Sequence, residues 1–367
     1  MVNAIRSVLR QTFTDYELIV VDNDDTAATA EVVCRFDDPR IRYVRTGGLS
    51  MADNWERGRL EARGEYLKIL PDRQLIKAWT LERVYSIVER EQAPVVSWLT
   101  GDIDDSQPND VFFRLLYRQV TRTTSEVNSK DLLRRYLTQG HHSVFSVLPR
   151  GINSVCSRRL AQEIVNGPAG RLFHSVAPDF TSAYLQLAYT ETILFLDEAL
   201  NISCSGESNG RELRTKKGST GLAFVRDNGE ARFYNLVPVK AVLQENMLLN
   251  DYLNMQALVP EKLASYCLSM TDYFVLVYAD MRFYELVGVD TREDLRVWEA
   301  ALRQQPLDVQ AAVRAGIQPY VRKYAITLGN RVSYVWLQHA LRLYKKFRGP
   351  RFANVLAALE WEEKTFG

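Results

Sequence analysis

Three short polar segments carry the residues that could do chemistry. Asp22–Asp25 follows one apolar run, Leu70–Gln74 follows another, and Pro178–Phe180 stands where a helix is expected to begin. Their carboxylates can accept hydrogen bonds from ligand hydroxyls or remove a proton from an attacking group. The guanidinium of Arg73 is permanently charged and can match two phosphate oxygens at once. Together the segments offer acceptors, a fixed positive charge and, in Asp179, a candidate base.

The first two segments follow strands of a predicted α/β fold. Short apolar runs are typical of strands that are buried on both faces. Four such runs lie in the first hundred residues, at 17–21, 41–44, 66–70 and 95–99. Stretches with helical spacing separate them, which predicts a mostly parallel, Rossmann-like sheet covered by helices. Because ligands bind at the carboxyl ends of strands in such sheets, we expect Asp22 and Asp72 to end adjacent strands there.

Local signals predict how individual elements begin and end. Ser50 is expected to cap the start of a helix, and Gly64 to end that helix in the left-handed conformation. The pattern becomes irregular after residue 100, so Asp102 and Asp104 are expected to be solvated charges in an exposed loop. Residues 143–148 are expected to form a strand.

The sequence pattern changes near residue 218. Beyond it helical spacing dominates, and the candidate helices are 242–258, 260–286, 291–304, 307–317 and 334–347. We therefore expect an α/β domain at 1–218 and a mostly helical domain at 219–367. The candidate helices are amphipathic rather than wholly apolar, so any membrane contact is expected to be peripheral.

Composition and charge exclude several classes of protein. Lys and Arg number 46 and Asp and Glu number 45, so the net charge is +1 and nucleic-acid binding is not expected. The four cysteines form no CxxC pair, which argues against a zinc site or a disulfide scaffold. No apolar stretch approaches the roughly 20 residues of a membrane span, and no signal peptide is expected. A cytoplasmic location is therefore expected, either free or peripheral to the inner face of the cell membrane.

The N-terminal run resembles a known family of enzymes. Residues 7–23 read Ser-Val-Leu-Arg-Gln-Thr-Phe-Thr-Asp-Tyr-Glu-Leu-Ile-Val-Val-Asp-Asn, which resembles the start of family 2 glycosyltransferases. The likeness continues through Asp38–Arg42, Asn54–Glu56 and Ala62–Leu67, and reaches residue 210 more thinly. It implies a GT-A fold, a nucleotide-diphospho-sugar donor, and transfer to a hydroxyl acceptor with inversion.

Two features depart from the family pattern. Members usually begin with a strand that ends against the nucleotide, whereas this sequence starts inside the following helix, so an N-terminally truncated domain is expected. The family also places a cluster such as Leu-x-Asp-Asp-Asp where this sequence has Leu70–Gln74. One carboxylate beside a guanidinium is a poor site for a hard dication. Pro71–Arg73 therefore disfavours Mg²⁺ or Mn²⁺, and no cofactor is expected.

The resemblance also implies roles for particular residues. The donor-binding candidates are Asp22, Asn54, Asp72, Arg73, Arg214, Lys216 and Lys217. Asp72 would accept from a ribose hydroxyl, and Arg73 would pair with the diphosphate in place of a metal, helped by the basic loop that contains Lys216. Asp179 is the implied catalytic base, which deprotonates the acceptor hydroxyl. A helix N-terminus lowers the basicity of a carboxylate, so burial or a neighbouring acid would have to raise its pKa.

Each of these residues also has a purely structural interpretation. Asp22 could accept backbone N–H groups in a turn, and Arg73 could form a surface salt bridge. Lys216 and Lys217 could belong to a solvated linker, and Asp179 could simply cap its helix. The residue types alone leave these alternatives open.

The leading hypothesis is an inverting glycosyltransferase of surface polysaccharide biosynthesis. Its partners would be a nucleotide-diphosphate sugar and a glycan, lipid-linked or other hydroxyl acceptor. The alternative is a catalytically inactive GT-A-like protein that binds a nucleotide or glycan, or acts in assembly. Donor base, sugar, acceptor and oligomeric state are not encoded in any motif that we recognise.

Overall fold

The computed structural model describes residues 1–105, 110–115, 121–204, 219–286, 288–322 and 350–366. The chain forms two compact units that interleave in sequence. The first, here called the sheet unit, comprises Met1–Lys130, Ser146–Gly206 and Gly349–Gly367. The second, here called the helical unit, comprises Asp131–Phe145 and Glu207–Arg348.

The sheet unit begins with alternating helices and strands. In chain order these are α1 (Val2–Leu9), β1 (Leu18–Asp22), α2 (Ala28–Val33), β2 (Ile41–Arg45) and α3 (Met51–Glu61). Strands β1 and β2 pair in parallel, with Leu18 opposite Ile41 and Asp22 opposite Arg45, and form a two-stranded sheet. The apolar runs at 17–21 and 41–44 therefore become strands as predicted.

A seven-stranded sheet forms the remainder of this unit. Its strands are β3 (Tyr66–Leu67), β4 (Gln74–Ile76), β5 (Val95–Asp104), β6 (Phe112–Leu115), β7 (Thr124–Asn128), β8 (Ser154–Ser157) and β9 (Thr192–Cys204). The central order is β3-β8-β5-β9-β4, with β6 on β5 and β7 on β9. The helices of the unit that follow in the chain are α4 (Thr80–Glu91), α6 (Arg158–Asn166), α7 (Pro178–Tyr189) and α14 (Val355–Phe366).

The α/β class is confirmed, but the sheet is mixed rather than mostly parallel. Strands β5 and β9 run parallel, whereas the β3·β8, β4·β9, β5·β6, β5·β8 and β7·β9 pairs are antiparallel. An apolar run indicates burial and carries no information on strand direction, which is why the prediction failed. In the described residues β1 pairs with β2 alone. The expectation that Asp22 and Asp72 end adjacent strands is therefore wrong.

The local signals were partly correct. Ser50 caps α3, because its Oγ accepts from the Asp53 N–H at 3.1 Å. The helix ends at Glu61, before Gly64, whose φ is not in the left-handed region. Asp102 and Asp104 lie within β5 rather than in a loop, and Asp104 is only 1% exposed. Residues 143–148 contain turns and the end of a 3₁₀ helix instead of a strand.

The helical unit contains helices after residue 218, and the first of them was not predicted. They are α8 (Ser219–Asn228), α9 (Gln244–Leu258), α10 (Pro260–Leu263), α11 (Met270–Leu286), α12 (Arg292–Arg303) and α13 (Leu307–Gly316), and α5 (Ser129–Gln139) lies mostly in this unit. Two 3₁₀ turns, His141–Ser143 and Glu230–Phe233, also belong to it. The helix predicted at 260–286 is divided in two, and the one predicted at 334–347 lies outside the described residues.

The last helix belongs to the sheet unit, although the predicted domain 219–367 included it. Lys77 at the end of β4 forms a buried ion pair with Glu362 on α14, with Nζ and Oε1 2.7 Å apart. Val355, Ala358 and Leu359 share a core cluster with Leu75 of β4. In the described part of the chain, no helix is long and apolar enough to cross a bilayer.

Candidate functional site

Asp22 ends β1 and is held by two hydrogen bonds. Its Oδ2 accepts from the Tyr43 hydroxyl on β2 at 2.5 Å, and its Oδ1 accepts from the Asp24 N–H at 2.9 Å. The first of these bonds raises the pKa of Tyr43, because ionised tyrosine would lose it. Asp22 is 3% exposed. Its carboxylate is therefore fixed in a turn, although a carboxylate oxygen that accepts one bond can accept a second from a ligand.

Asn54 connects α3 to the same end of β1. Its Oδ1 accepts from the Thr46 hydroxyl at 2.8 Å, and its Nδ2 donates to the Val21 carbonyl at 3.1 Å. Thr46 also bonds to the Asp22 carbonyl through its N–H and its hydroxyl, at 2.8 and 2.9 Å. The structure thus brings Asp22 and Asn54 together, and the Asn54 amide positions the strand end.

Asp72 and Arg73 occupy an exposed turn between β3 and β4. The Arg73 carbonyl accepts from the N–H of Cys204, the last residue of β9, at 2.9 Å. Gln74, the next residue, is 6% exposed and its side-chain N–H donates to the Ser203 hydroxyl at 2.9 Å. Gln74 is therefore part of the sheet, whereas Asp72 and Arg73 remain at the surface.

The residues around Asp72 do not fit a divalent cation. Mg²⁺ and Mn²⁺ need several oxygen ligands without an adjacent positive charge. Arg73 follows Asp72 directly, and the Gln74 amide oxygen accepts from Asn201 Nδ2 at 3.3 Å. Within the described ranges, no group of three or more His, Cys, Asp or Glu residues could hold a metal.

Asp179 lies in the first turn of α7, as predicted from Pro178. Its side chain is 18% exposed, and its Oδ2 lies 3.4 Å from Nη1 of the largely buried Arg150. Burial raises the pKa of Asp179, and the positive charge of Arg150 partly opposes this effect. Burial lowers the pKa of Arg150, whose guanidinium also lies 5.5 Å from the centre of the Phe180 ring. A carboxylate with a raised pKa meets the condition that a base at a helix N-terminus requires.

Arg150 belongs to a tight loop, residues 148–153, here called the Arg150 loop. The Arg150 N–H donates to the Leu148 carbonyl at 3.0 Å, and Gly151 has a left-handed φ of +73°. The Gly151 carbonyl accepts from the Ile69 N–H at 3.2 Å, which ties the loop to the segment after β3. Gln186 of α7 donates to the Pro149 carbonyl at 2.9 Å. The loop thus links the segment preceding Asp72 to the helix that carries Asp179.

Sequence reasoning missed Arg150 and Lys68. The Lys68 ammonium donates to the Ile152 carbonyl of the Arg150 loop at 2.9 Å and lies 4.9 Å from the centre of the Trp98 ring. Burial lowers the pKa of Lys68 to about 7. A lysine inside the apolar run 66–70 was the available signal, since a strand buried on both faces rarely carries a charge. Nothing in the sequence marked Arg150.

Three of the predicted donor-binding residues cannot be placed. Arg214, Lys216 and Lys217 lie outside the described residues. The placed candidates form two groups: Asp22 with Asn54 at the end of β1, and Asp179 with Arg150 at the start of α7. Asp72 and Arg73 lie in the turn that follows Lys68 along the chain.

The N-terminal part of the chain is similar in sequence to known glycosyltransferases. Residues 1–154 match the sequence profile described as glycosyl transferase family 2. The glycosyltransferase GlyG of Streptococcus pneumoniae serotype 4 is 30% identical over 118 residues, which cover 31% of this chain and 38% of that relative. The chain thus matches about two fifths of the length of the curated relative.

Solved structures give a weaker likeness over a longer span. Residues 1–349 of S. aureus TarS match with a TM-score of 0.46 and 14% identity, over 88% of this chain and 87% of TarS. The structure of the same protein in complex with UDP-GlcNAc matches with a TM-score of 0.46 and 13% identity, over 87% of each chain. At these values the likeness carries no conclusion on donor or acceptor. Residues 1–154, which hold Asp22, Asn54 and Asp72, are therefore similar to glycosyl transferase family 2.

Proposed function

We propose that this protein is an inverting glycosyltransferase that uses a nucleotide-diphospho-sugar donor. The observation that carries the proposal is the Asp179–Arg150 pair at the start of α7, where burial raises the pKa of a carboxylate that is still partly exposed. A carboxylate in this condition can take a proton from a hydroxyl. The match of residues 1–154 to glycosyl transferase family 2 supports the reaction class.

The proposed reaction is a single displacement. The acceptor hydroxyl attacks the anomeric carbon of the sugar, and Asp179 takes the hydroxyl proton as the new glycosidic bond forms. The bond between the anomeric carbon and the diphosphate oxygen breaks, and the nucleoside diphosphate leaves with the electron pair. Attack opposite the leaving group inverts the anomeric centre. Asp22 and Asp72 would accept hydrogen bonds from hydroxyl groups of the nucleotide-sugar donor.

Arg73 is proposed to stabilise the leaving diphosphate. Its guanidinium is permanently charged, and the turn that carries it is exposed. Because the ligands around Asp72 do not fit a dication, we propose that transfer is independent of divalent metal. Fixed positive charge aimed at developing negative charge is a large contribution to catalysis of this kind.

Three finer features are proposed on the resemblance alone. They are a glycan or lipid-linked acceptor, a place in surface polysaccharide biosynthesis, and a cytoplasmic location with at most peripheral membrane contact. A donor related to the UDP-GlcNAc of the TarS complex is a reasonable first probe.

The test is release of nucleoside diphosphate from UDP-, GDP-, dTDP- and CDP-sugars, with simple glycosides as acceptors. The wild-type protein should turn over at least one donor, and Asp179→Asn should lose acceptor-dependent release. Asp131→Asn is the matched control, since the Asp131 side chain is 73% exposed. Nucleotide binding without release would favour the inactive, ligand-binding alternative. A protein that neither binds a nucleotide nor releases a nucleoside diphosphate would overturn both the proposed function and this alternative.

A further inference from the structure

Lys68 is a partly buried cation without a carboxylate partner in the described part of the chain. Its ammonium bonds to the Ile152 carbonyl at 2.9 Å and more weakly to the Ile69 carbonyl at 3.5 Å. The face of Trp98, itself fully buried, lies 4.9 Å away. Burial is the cause that lowers the pKa of Lys68 to about 7. Burying an ammonium without an anion is unfavourable, and such groups are found preferentially at functional sites.

The position of Lys68 relates it to the proposed donor site. Lys68 directly follows β3 and precedes Asp72 by four residues. Its ammonium bonds to the Arg150 loop, whose Arg150 contacts Asp179. The loop links two cations, Lys68 and Arg150, to one carboxylate, Asp179. The cluster therefore has an excess positive charge when all three are ionised.

We propose that Lys68 binds the diphosphate of the nucleotide-sugar donor and stabilises it as the leaving group. This inference rests on the proposed function and adds a residue to it. A diphosphate supplies the anion that the cluster lacks, and an ammonium has three N–H donors, of which the two carbonyls use two. As the bond to the anomeric carbon breaks and the diphosphate gains the electron pair, Lys68 donates to its oxygens and no proton is transferred.

Binding should be coupled to proton uptake. At about pH 8 a lysine of lowered pKa is mostly neutral, and a bound diphosphate anion favours its charged form. The charged groups on neighbouring elements are Arg150 on the loop and Asp179 on α7, and Asp72 and Arg73 follow on the same segment. A neutral nucleoside has no phosphate to change the charge of Lys68, so it should bind without uptake.

The experiment is calorimetry at about pH 8 in two buffers of different ionisation enthalpy. UDP, GDP, dTDP and CDP are compared with the corresponding nucleosides, using the full chain. The wild-type protein should take up close to one proton with its preferred diphosphate and none with the nucleoside. Lys68→Met should lose the uptake and bind the diphosphate about tenfold or more weakly. Lys130→Met, at an exposed lysine, should behave as the wild type.

A second variant covers the case in which Lys68→Met fails to fold. Lys68→Arg keeps a charge that does not titrate, so it should bind the diphosphate without proton uptake. Uptake that persists in Lys68→Arg, or wild-type binding without uptake, overturns the inference and leaves the proposed function intact. A wild-type protein that binds none of the four diphosphates overturns the proposed function itself.

Discussion

Arg150 and Asp179 form an ion pair in which burial opposes the charged form of both residues. The two side chains meet at 3.4 Å, and burial raises the pKa of the acid and lowers that of the guanidinium. Each charge partly offsets the desolvation of the other. Arg150 therefore keeps Asp179 ionised at a lower pH than burial alone would permit.

Replacing Arg150 should shift the pH dependence of transfer. Asp179 must be ionised to act as a base, so activity should rise with pH through its pKa. Arg150→Met removes the charge that lowers this pKa, so the acidic limb of the kcat/KM profile should move to higher pH. Arg150→Lys keeps the positive charge, so the acidic limb should move less in this variant. A limb that stays in place in Arg150→Met would show that the pair does not tune the base.

The sequence predicted best those features that depend on local pattern. Strands β1, β2 and β5 follow apolar runs, and Pro178 marks the start of α7. Strand direction was not predictable, since antiparallel strands such as β4 and β8 are buried on both faces here, as parallel strands usually are. Asp102 concealed the continuation of β5, because a charge in a strand resembles a loop signal.

The candidate site was harder to predict because its contacts are not local. Asp179 meets Arg150 across 29 residues, and Lys68 meets Ile152 across 84. Both contacts depend on the conformation of the Arg150 loop, which a single sequence does not reveal. Asp22 has the bonds to Tyr43 and Asp24 that the structural interpretation described, and its role in donor binding stays a prediction.

Arg73→Ala should reduce turnover and leave the fold intact. Arg73 is exposed, so its side chain contributes little to packing. Loss of a preorganised donor to a leaving group costs about 2–4 kcal/mol of transition-state stabilisation. Turnover of the preferred donor should fall accordingly, with unchanged thermal unfolding. Arg296→Ala, at a guanidinium that is 78% exposed in the helical unit, is the control and should retain wild-type turnover. Equal turnover in both variants would remove Arg73 from the site.

Transfer should persist in the presence of a chelator. Asp72 has Arg73 beside it, and the Gln74 amide is engaged with Ser203 and Asn201, so this turn lacks the oxygen ligands that a dication requires. The measurement is donor turnover with and without EDTA, followed by added Mg²⁺ or Mn²⁺. Turnover that is abolished by EDTA and restored by Mn²⁺ would mean that other acids bind a cation.

Gly151→Ala should impair both stability and transfer. A left-handed φ of +73° costs about 1–2 kcal/mol for a residue with a Cβ. Gly170 has a φ of +66° and open space around its Cβ position, so Gly170→Ala is a matched control for backbone strain. Both variants should unfold at lower urea concentration. Turnover of the folded protein should fall in Gly151→Ala alone, since its loop carries Arg150; equal turnover in the two variants would contradict the role of the loop.

Breaking the Lys77–Glu362 pair should destabilise the sheet unit. The two side chains are 6% and 4% exposed, and burial raises the pKa of Glu362, with Lys77 opposing this effect. Removing one partner leaves a buried unpaired charge, which costs about 3–5 kcal/mol.

Lys77→Met should therefore lower the urea concentration at the midpoint of unfolding. The double variant Lys77→Met with Glu362→Leu should recover most of the lost stability, because apolar residues of similar volume can replace such a pair. Arg90→Ala breaks an exposed pair with Glu91 and should cost at most about 1 kcal/mol. A double variant as unstable as Lys77→Met would show that α14 is held by the charges themselves rather than by the apolar contacts around Leu359.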